Sequence, residues 1–242
     1  MFDGSPFINE QFLAERVQPA DMDKLWAAGW RHFGSYFFRY SVGIHEGELR
    51  RVVPLRIRLE DLSLSKSHRR NLARNSDLLC SVKSFELTDE AVELFHRHKT
   101  RFRHNVPPSI LEFLPEHADA APCEIMEMNV RDDNRLLAIS YFSVGQNANS
   151  GIYAMFEPTE QRRGLGIFTL LKELEFAKET GRTLYYLGYS YNGKSFYDYK
   201  KQFRGTEAYD WATGWSPLSC EDEGIVSCSS LIENIFNDGQ II

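Results

Sequence analysis

The segment Glu157–Gly166, EPTEQRRGLG, sets two arginines and two glycines between a strand-like run, SGIYAMFEP, and an apolar-periodic run, IFTLLKELEFAKETG. Residue types in that order are suited to holding an anion. Gly164 and Gly166 let the chain turn tightly and present backbone N–H groups with no Cβ in the way. A helix starting at about Ile167 would add orphan N–H donors and the positive end of its dipole at the same spot. Arg162 and Arg163 add full charges in the forked geometry that fits phosphate. Gln161, Arg162, Arg163, Gly164, Leu165 and Gly166 together predict a phosphate-binding turn. The competing reading is two solvated arginines capping a surface loop.

The elements that must position this turn can be read from periodicity and punctuation. Residues 1–20 read as a polar lead-in with at most one short helical turn. Asp21–Gly29 predicts a short helix, capped by Asp21 and ended by Gly29. SYFFRYSVGI and EGELRRVVPLRIRLEDL predict two strands joined by a turn at His45–Gly47. Ser65–Asn75 is a basic helix start with serine caps, and LLCSVKSFE follows as a strand. Thr88 caps a strong helix, stopped by Asn105–Pro108. Strand patterns recur at CEIMEMNV, RLLAISYFSVG and SGIYAMFEP. After the turn come a helix over Ile167–Gly181, the strand TLYYLGYS, a helix over Lys194–Phe203 and a strand near Ala208–Trp211. Strands and helices in this mixed order indicate an α+β or α/β fold.

Composition bounds the function. A chain of 242 residues can bury a proper core in one large domain or two small ones. A formal charge of −6 argues against a general nucleic-acid coat. The charge is uneven: residues 50–74 carry eight Lys and Arg, whereas residues 216–242 are acidic with no Lys or Arg. The four cysteines are scattered and form no CxxC pair, so no structural zinc or iron–sulfur site is expected. With no apolar run of transmembrane length and no signal peptide, a reduced cytoplasmic protein is the expectation. His96, His98 and His104 invite a metal reading, but His96 and His98 point to different helix faces, and a titratable surface helix is the plainer account. Cys123 has no evident histidine partner and reads as a buried thiol.

Two families meet at these residues. The spacing Gln161-x-x-Gly164-x-Gly166 resembles the pyrophosphate loop of GNAT acyl-CoA acyltransferases. The longer context is more specific. Tyr153-x-x-Phe156-x-Pro158, Arg162–Gly166, Tyr186-Leu187-Gly188-Tyr189, Tyr199-Lys200-x-x-Phe203 and Glu207 resemble the C-terminal domain of aminoacyl-tRNA–protein transferases, the arginyl- and leucyl-transferases. Gly29-Trp30-Arg31 and Gly34 resemble that family's GxRRxG segment. Ser65–Asp77 resembles its SRSQRRxxRRNxDL segment, with Arg69, Arg70, Arg74, Asn75 and Asp77 in matching places. The resemblance runs from about Trp26 to Trp215. Three departures stand out: the family's N-terminal cysteine cluster is absent, Gly164 replaces a usual serine, and Gly205 replaces a usual proline.

The resemblance implies a GNAT-like fold with mixed sheets flanked by helices, and two GNAT-like halves as one arrangement of it. The organisation would be a lead-in (1–20), an N-terminal half with the basic segment (21–120), a C-terminal half with the phosphate loop (121–215) and an acidic tail (216–242). It implies transfer of an aminoacyl group from aminoacyl-tRNA to a protein or peptide N-terminus, with no cofactor, no metal and no membrane partner. Arg69, Arg70 and Arg74 would grip tRNA, and Arg162 to Gly166 with Lys200 would hold the donor's phosphate or terminal ribose. Tyr189 and Tyr199 are the catalytic candidates, a hydroxyl there orienting the amine or donating to the leaving oxygen. Core aromatics are the plainer account of any single tyrosine. Two rival readings stay open: a GNAT acyltransferase using acetyl-CoA or another acyl-CoA, which Gly164 favours, and a non-catalytic binder.

Overall fold

The computed structural model describes residues 6–45, 47–103 and 105–218. The stretch from 219 onward, which holds most of the acidic tail, and His104 lie outside the described residues. The chain runs β1 (Asn9–Leu13), α1 (Pro19–Ala27), β2 (Arg31–Phe33), β3 (Tyr36–Tyr40), β4 (Val42–His45), β5 (Glu48–Arg58), α2 (Lys66–Arg74), β6 (Leu79–Ser84) and α3 (Asp89–His98). It continues β7 (Ile125–Asp132), β8 (Arg135–Val144), β9 (Ala148–Phe156), α4 (Leu165–Glu179), β10 (Leu184–Tyr191), β11 (Thr206–Asp210) and β12 (Gly214–Pro217). Short 3₁₀ segments precede α4 (Pro158–Arg163) and follow β10 (Phe196–Gln202).

One mixed sheet orders its strands β12-β11-β5-β10-β9-β8-β7-β6, with β4 on β5, so strands from before and after residue 120 share it. Helix α4 packs on one face, where Leu171, Leu174 and Ala177 meet Leu55, Ile57 and Tyr185, and Phe168 meets Val130 and Ala138. Helix α3 covers the other face through Leu94 and Phe95 against Ile139, Tyr141 and Met155. Thr88 caps α3 as expected, accepting from the Ala91 N–H at 3.2 Å. A three-stranded sheet, β1-β3-β2, lies on the α3 side.

Several expectations need correction. The lead-in is not featureless: Asn9–Leu13 pairs antiparallel with β3, a strand that its polar composition disguised. Helix α1 starts at Pro19, which puts Asp21 in its first turn and not at its cap. The 3₁₀ segment Phe196–Gln202 replaces the expected α-helix, with Ser195 and Asp198 forming a capping box. His98 is not on the surface: it is fully buried with Nδ1 3.0 Å from the Phe156 N and O, and burial pushes its imidazole down to about 3. Cys123 does have a histidine neighbour, His32, at 3.8 Å. Burial holds both neutral, the thiol pushed up to about 11 and the imidazole down to about 4, so the pair is not an activated nucleophile.

The feature that matters for function is a divergence in the sheet. Strands β9 and β10 run parallel for only three residue pairs, the last being Tyr186 opposite Ser150. Beyond it β9 stays with β8, whereas β10 bulges at Leu187–Gly188 and stays with β5. Gly188 takes φ +83°, which its lack of a Cβ permits. The bulge also breaks the alternation of an ordinary strand, which would put residues 185, 187 and 189 on one face: Tyr185 and Leu187 lie under α4, whereas Tyr189 packs edge-on against Phe38 and Tyr40 of β3.

Candidate active site

Helix α2 and the arginine–glycine turn form one unit. Ser65 caps α2, accepting from the His68 N–H at 3.1 Å, and His68 is buried with its ring stacked 4.4 Å from Phe203. That anchor brings the following turns of α2 beneath the loop. Asn71 Nδ2 donates to the Arg163 and Gly164 carbonyls at 3.2 and 3.1 Å, and Asn75 Nδ2 donates to the Arg163 carbonyl at 2.9 Å. Arg74 donates to the Arg162 carbonyl at 2.7 Å. Gly164 sits at φ +65°, which favours glycine, and a Cβ there would lie 2.8 Å from Asn71 Nδ2, so a side chain would push that amide aside. Helix α4 begins directly after it, at Leu165 and not Ile167. Leu165 and Gly166 are thus first-turn residues whose N–H groups have no intrahelical acceptor. The Leu165 side chain itself is fully buried in the core.

The arginines separate by role. Arg163 meets both carboxylate oxygens of Asp77 at 3.0 Å and Glu160 at 3.4 Å, and this pairing holds the Asp77 carboxyl below its usual range. It fastens the loop. Arg162 is exposed at the rim of a cavity of about 1500 Å³, and Arg70 and Arg74 line the same rim. Arg69 folds back to donate to the Leu64 carbonyl and lies outside the lining.

From that basic rim the cavity runs inward to the point where β9 and β10 part. Arg31 of β2 occupies the gap, donating to Ser150 Oγ and the Gly151 carbonyl. A Cβ on Gly188 would lie 3.3 Å from its guanidinium. Lys200 Nζ donates to the Tyr189 carbonyl at 3.0 Å, and burial, with Arg31 nearby, pushes its ammonium down to about 7. Tyr199 lines the same end, its hydroxyl raised above the usual range by burial and by Glu173. The Tyr189 hydroxyl points elsewhere: it donates to the Gly29 carbonyl at 2.7 Å, and only the backbone carbonyl of Tyr189 meets Lys200. A third wall is aromatic, with Phe113 stacked 4.3 Å from Tyr153 and Arg101 4.2 Å over Phe156.

Of the predicted site residues, the cavity therefore gathers Gln161, Arg162, Arg163, Gly164, Gly166, Arg70, Arg74, Tyr189, Tyr199 and Lys200. Glu173 was missed from sequence. It is 3% exposed yet lines the cavity, accepts from the Tyr185 hydroxyl, and is pushed up to about 7 by burial against the opposing pull of the Ser140 and Tyr185 hydroxyls. The signal was available: Glu173 stands four residues from Thr169 and from Ala177, on the buried stripe of α4. An acid on that stripe is the exception that calls for a reason. Among the described residues no group of three or more His, Cys, Asp or Glu could hold a metal, and no helix is long and apolar enough to cross a membrane.

Comparison with known proteins agrees with this geometry. Residues 90–210, half of the chain, match the family model described as arginine-tRNA-protein transferase, C terminus. An aspartate/glutamate leucyltransferase of Stenotrophomonas maltophilia is 30% identical over 206 residues, covering 81% of this chain and 79% of its own length. The protein of that name from Shewanella oneidensis is 29% identical over 201 residues, covering 81% and 82%. A Xanthomonas oryzae pv. oryzae leucyltransferase is 32% identical over 181 residues, covering 71% of each chain. Among solved structures FemX superposes with a TM-score of 0.50 over 84% of this chain and 70% of its own at 10% identity, a likeness of fold alone. The fold is the mixed α+β, GNAT-like arrangement, and the chain belongs to the aminoacyl-tRNA–protein transferase family of acyltransferase enzymes.

Proposed function

We propose that this chain transfers an aminoacyl group, leucyl as in its relatives' names, from aminoacyl-tRNA to the α-amine of a protein or peptide that begins with aspartate or glutamate. The observation that carries this reading is the continuity of one cavity of about 1500 Å³ from the basic residues of α2 and the Arg162 loop to the buried groups at the β9–β10 divergence. Arg70, Arg74 and Arg162 would meet donor phosphates, together with the first-turn N–H groups of α4. Arg31 supplies the positive charge that an acidic acceptor needs, and Lys200 adds to it as the pH falls below about 7. The donor ester is already activated, so positioning, proton removal and hydrogen bonds to the developing oxyanion suffice, by direct amine attack and without a cofactor. A charged-tRNA donor suits the cytoplasm.

An acyl-CoA donor would need a narrow slot for its pantetheine arm. Here the gap between the diverging strands instead holds the Arg31 guanidinium. Gly164, the residue nearest in kind to a CoA loop, is accounted for by the close approach of Asn71. The test uses purified protein, leucyl-tRNA labelled in the amino acid, and peptides beginning with Asp, Glu or Ala. Label should pass to the acidic peptides alone. Transfer that survives ribonuclease digestion of the donor, or thermal stabilisation by CoA with acyl transfer from it, would overturn the proposal.

A further inference from the structure

We infer that Glu173 is the proton carrier of the reaction: its carboxylate takes a proton from the attacking amine and returns it to the ribose oxygen that leaves. This inference rests on the transfer reaction proposed above. The geometry comes first. Glu173 lies eight residues into α4, about 12 Å along the axis from the helix N-terminus at 1.5 Å per residue. A donor phosphate held at that N-terminus would leave its aminoacyl ester further along the same helix, toward Glu173. Glu173 lines the cavity while being 3% exposed, so it borders substrate space while almost shut off from bulk water.

Every neighbouring element contributes to its setting. From β10, the Tyr185 hydroxyl donates to the carboxylate. That hydroxyl fits because residue 151 of β9 is glycine; a Cβ there would lie 2.9 Å from it. Ser140 of β8 favours the ionised form as well, and Tyr199 of the 3₁₀ segment lies close enough for the carboxylate to raise its hydroxyl. Arg31 and Lys200 stand at the same end of the cavity. Burial brings Glu173 up to about 7, near the pH at which a general base works best. A buried acid paired with one tyrosine could be no more than a core hydrogen bond, but such a group need not line the cavity that reaches the expected reacting centre.

The step balances. The neutral amine attacks the ester carbonyl carbon and a C–N bond forms; the carbon–oxygen bond to the ribose breaks. One proton leaves nitrogen for Glu173, then passes from Glu173 to the ribose oxygen, so the carboxylate is regenerated and no co-reactant is consumed.

The test compares the wild-type protein with Glu173→Gln and Tyr185→Phe, measuring transfer from leucyl-tRNA to an acidic peptide across pH 5.5 to 9.5, as well as tRNA affinity and Tm. The wild type should show a rising limb near pH 7. Glu173→Gln should keep its tRNA affinity and lose roughly 10²- to 10⁴-fold in rate, its residual activity rising only with ionisation of the acceptor amine near 8. Tyr185→Phe keeps the carboxyl but removes a donor to its ionised form, so the limb should move to higher pH. A Glu173→Gln protein within about tenfold of wild type, under 1.4 kcal/mol of barrier, overturns the inference. Should that variant fail to fold, an unmoved limb in Tyr185→Phe overturns it. A wild-type protein that transfers nothing from any aminoacyl-tRNA instead refutes the parent reading, and the role of Glu173 with it.

Discussion

Replacing Tyr189 with phenylalanine separates two accounts of a residue that sequence alone makes a catalytic candidate. The substitution removes one oxygen and keeps the ring, so the edge-on contacts with Tyr40 and Phe38, at 5.2 and 6.2 Å between centroids, are retained. What is lost is the hydrogen bond to the Gly29 carbonyl at 2.7 Å, with a second, longer contact to the Phe38 carbonyl at 3.4 Å. These tie β10 to the end of α1 and to β3. Leaving a part-buried carbonyl without its donor should cost about 1–2 kcal/mol. In urea the midpoint should fall with an unchanged slope, and Tm should drop by roughly 2–4 °C per kcal/mol for a chain of this size. The hydroxyl is turned from Lys200, so the rate at saturating substrate should change by less than about tenfold, under 1.4 kcal/mol of barrier. A hundredfold loss of rate with unaltered stability would refute this account and restore Tyr189 as the acid or base.

Arg70→Ala should reduce the salt slope of tRNA binding by about one phosphate contact, whereas Arg69→Ala, whose guanidinium turns to Leu64, should leave it unchanged; filter binding across a salt series checks both. Lys200, pushed down to about 7 from its ordinary 10.5, binds fewer protons folded than unfolded in between. Stability should therefore rise as pH goes from about 7 to about 10.5, and Lys200→Met should flatten that rise in urea unfolding at a series of pH values. Glu173 has the opposite sign: raised from 4.5 to about 7, it makes stability fall across that window by about 3 kcal/mol, and Glu173→Gln should abolish the fall. Asn71→Ala removes two bonds to the loop carbonyls and should raise hydrogen exchange at Arg163–Gly166 while leaving the β7–β8 core protected.

Much of the scaffold was legible because it is local. Ser65 and Thr88 are caps whose partners lie three residues on, and the strands around β7 to β10 carry apolar runs that no loop would carry. The strand–turn–helix at Arg162–Gly166 was legible for the same reason, since glycine, arginine and a helix start stand within ten residues of one another. Strand β1 was hidden: it is an exposed edge, so its pairing with β3 needs no apolar pattern. The bulge at Gly188 was hidden too, and it sent Tyr189 to the other side from Tyr185.

By itself the sequence determined that a glycine- and arginine-rich turn would join a strand to a helix, and that a basic helix and a YKxxF segment accompany it. The tertiary structure alone decided how charges are used. Arg162 and Arg163 are neighbours of one type and both line the cavity, yet Arg162 is exposed whereas Arg163 is tied to Asp77, eighty-six residues away. Lys200 looks ordinary in its segment, and Glu173 is marked only by its place on a buried stripe; the unusual ionisation of both arises from burial. A side chain's type is written in the chain, but its ionisation depends on the water removed around it and the charges brought beside it, and both are properties of the packed molecule.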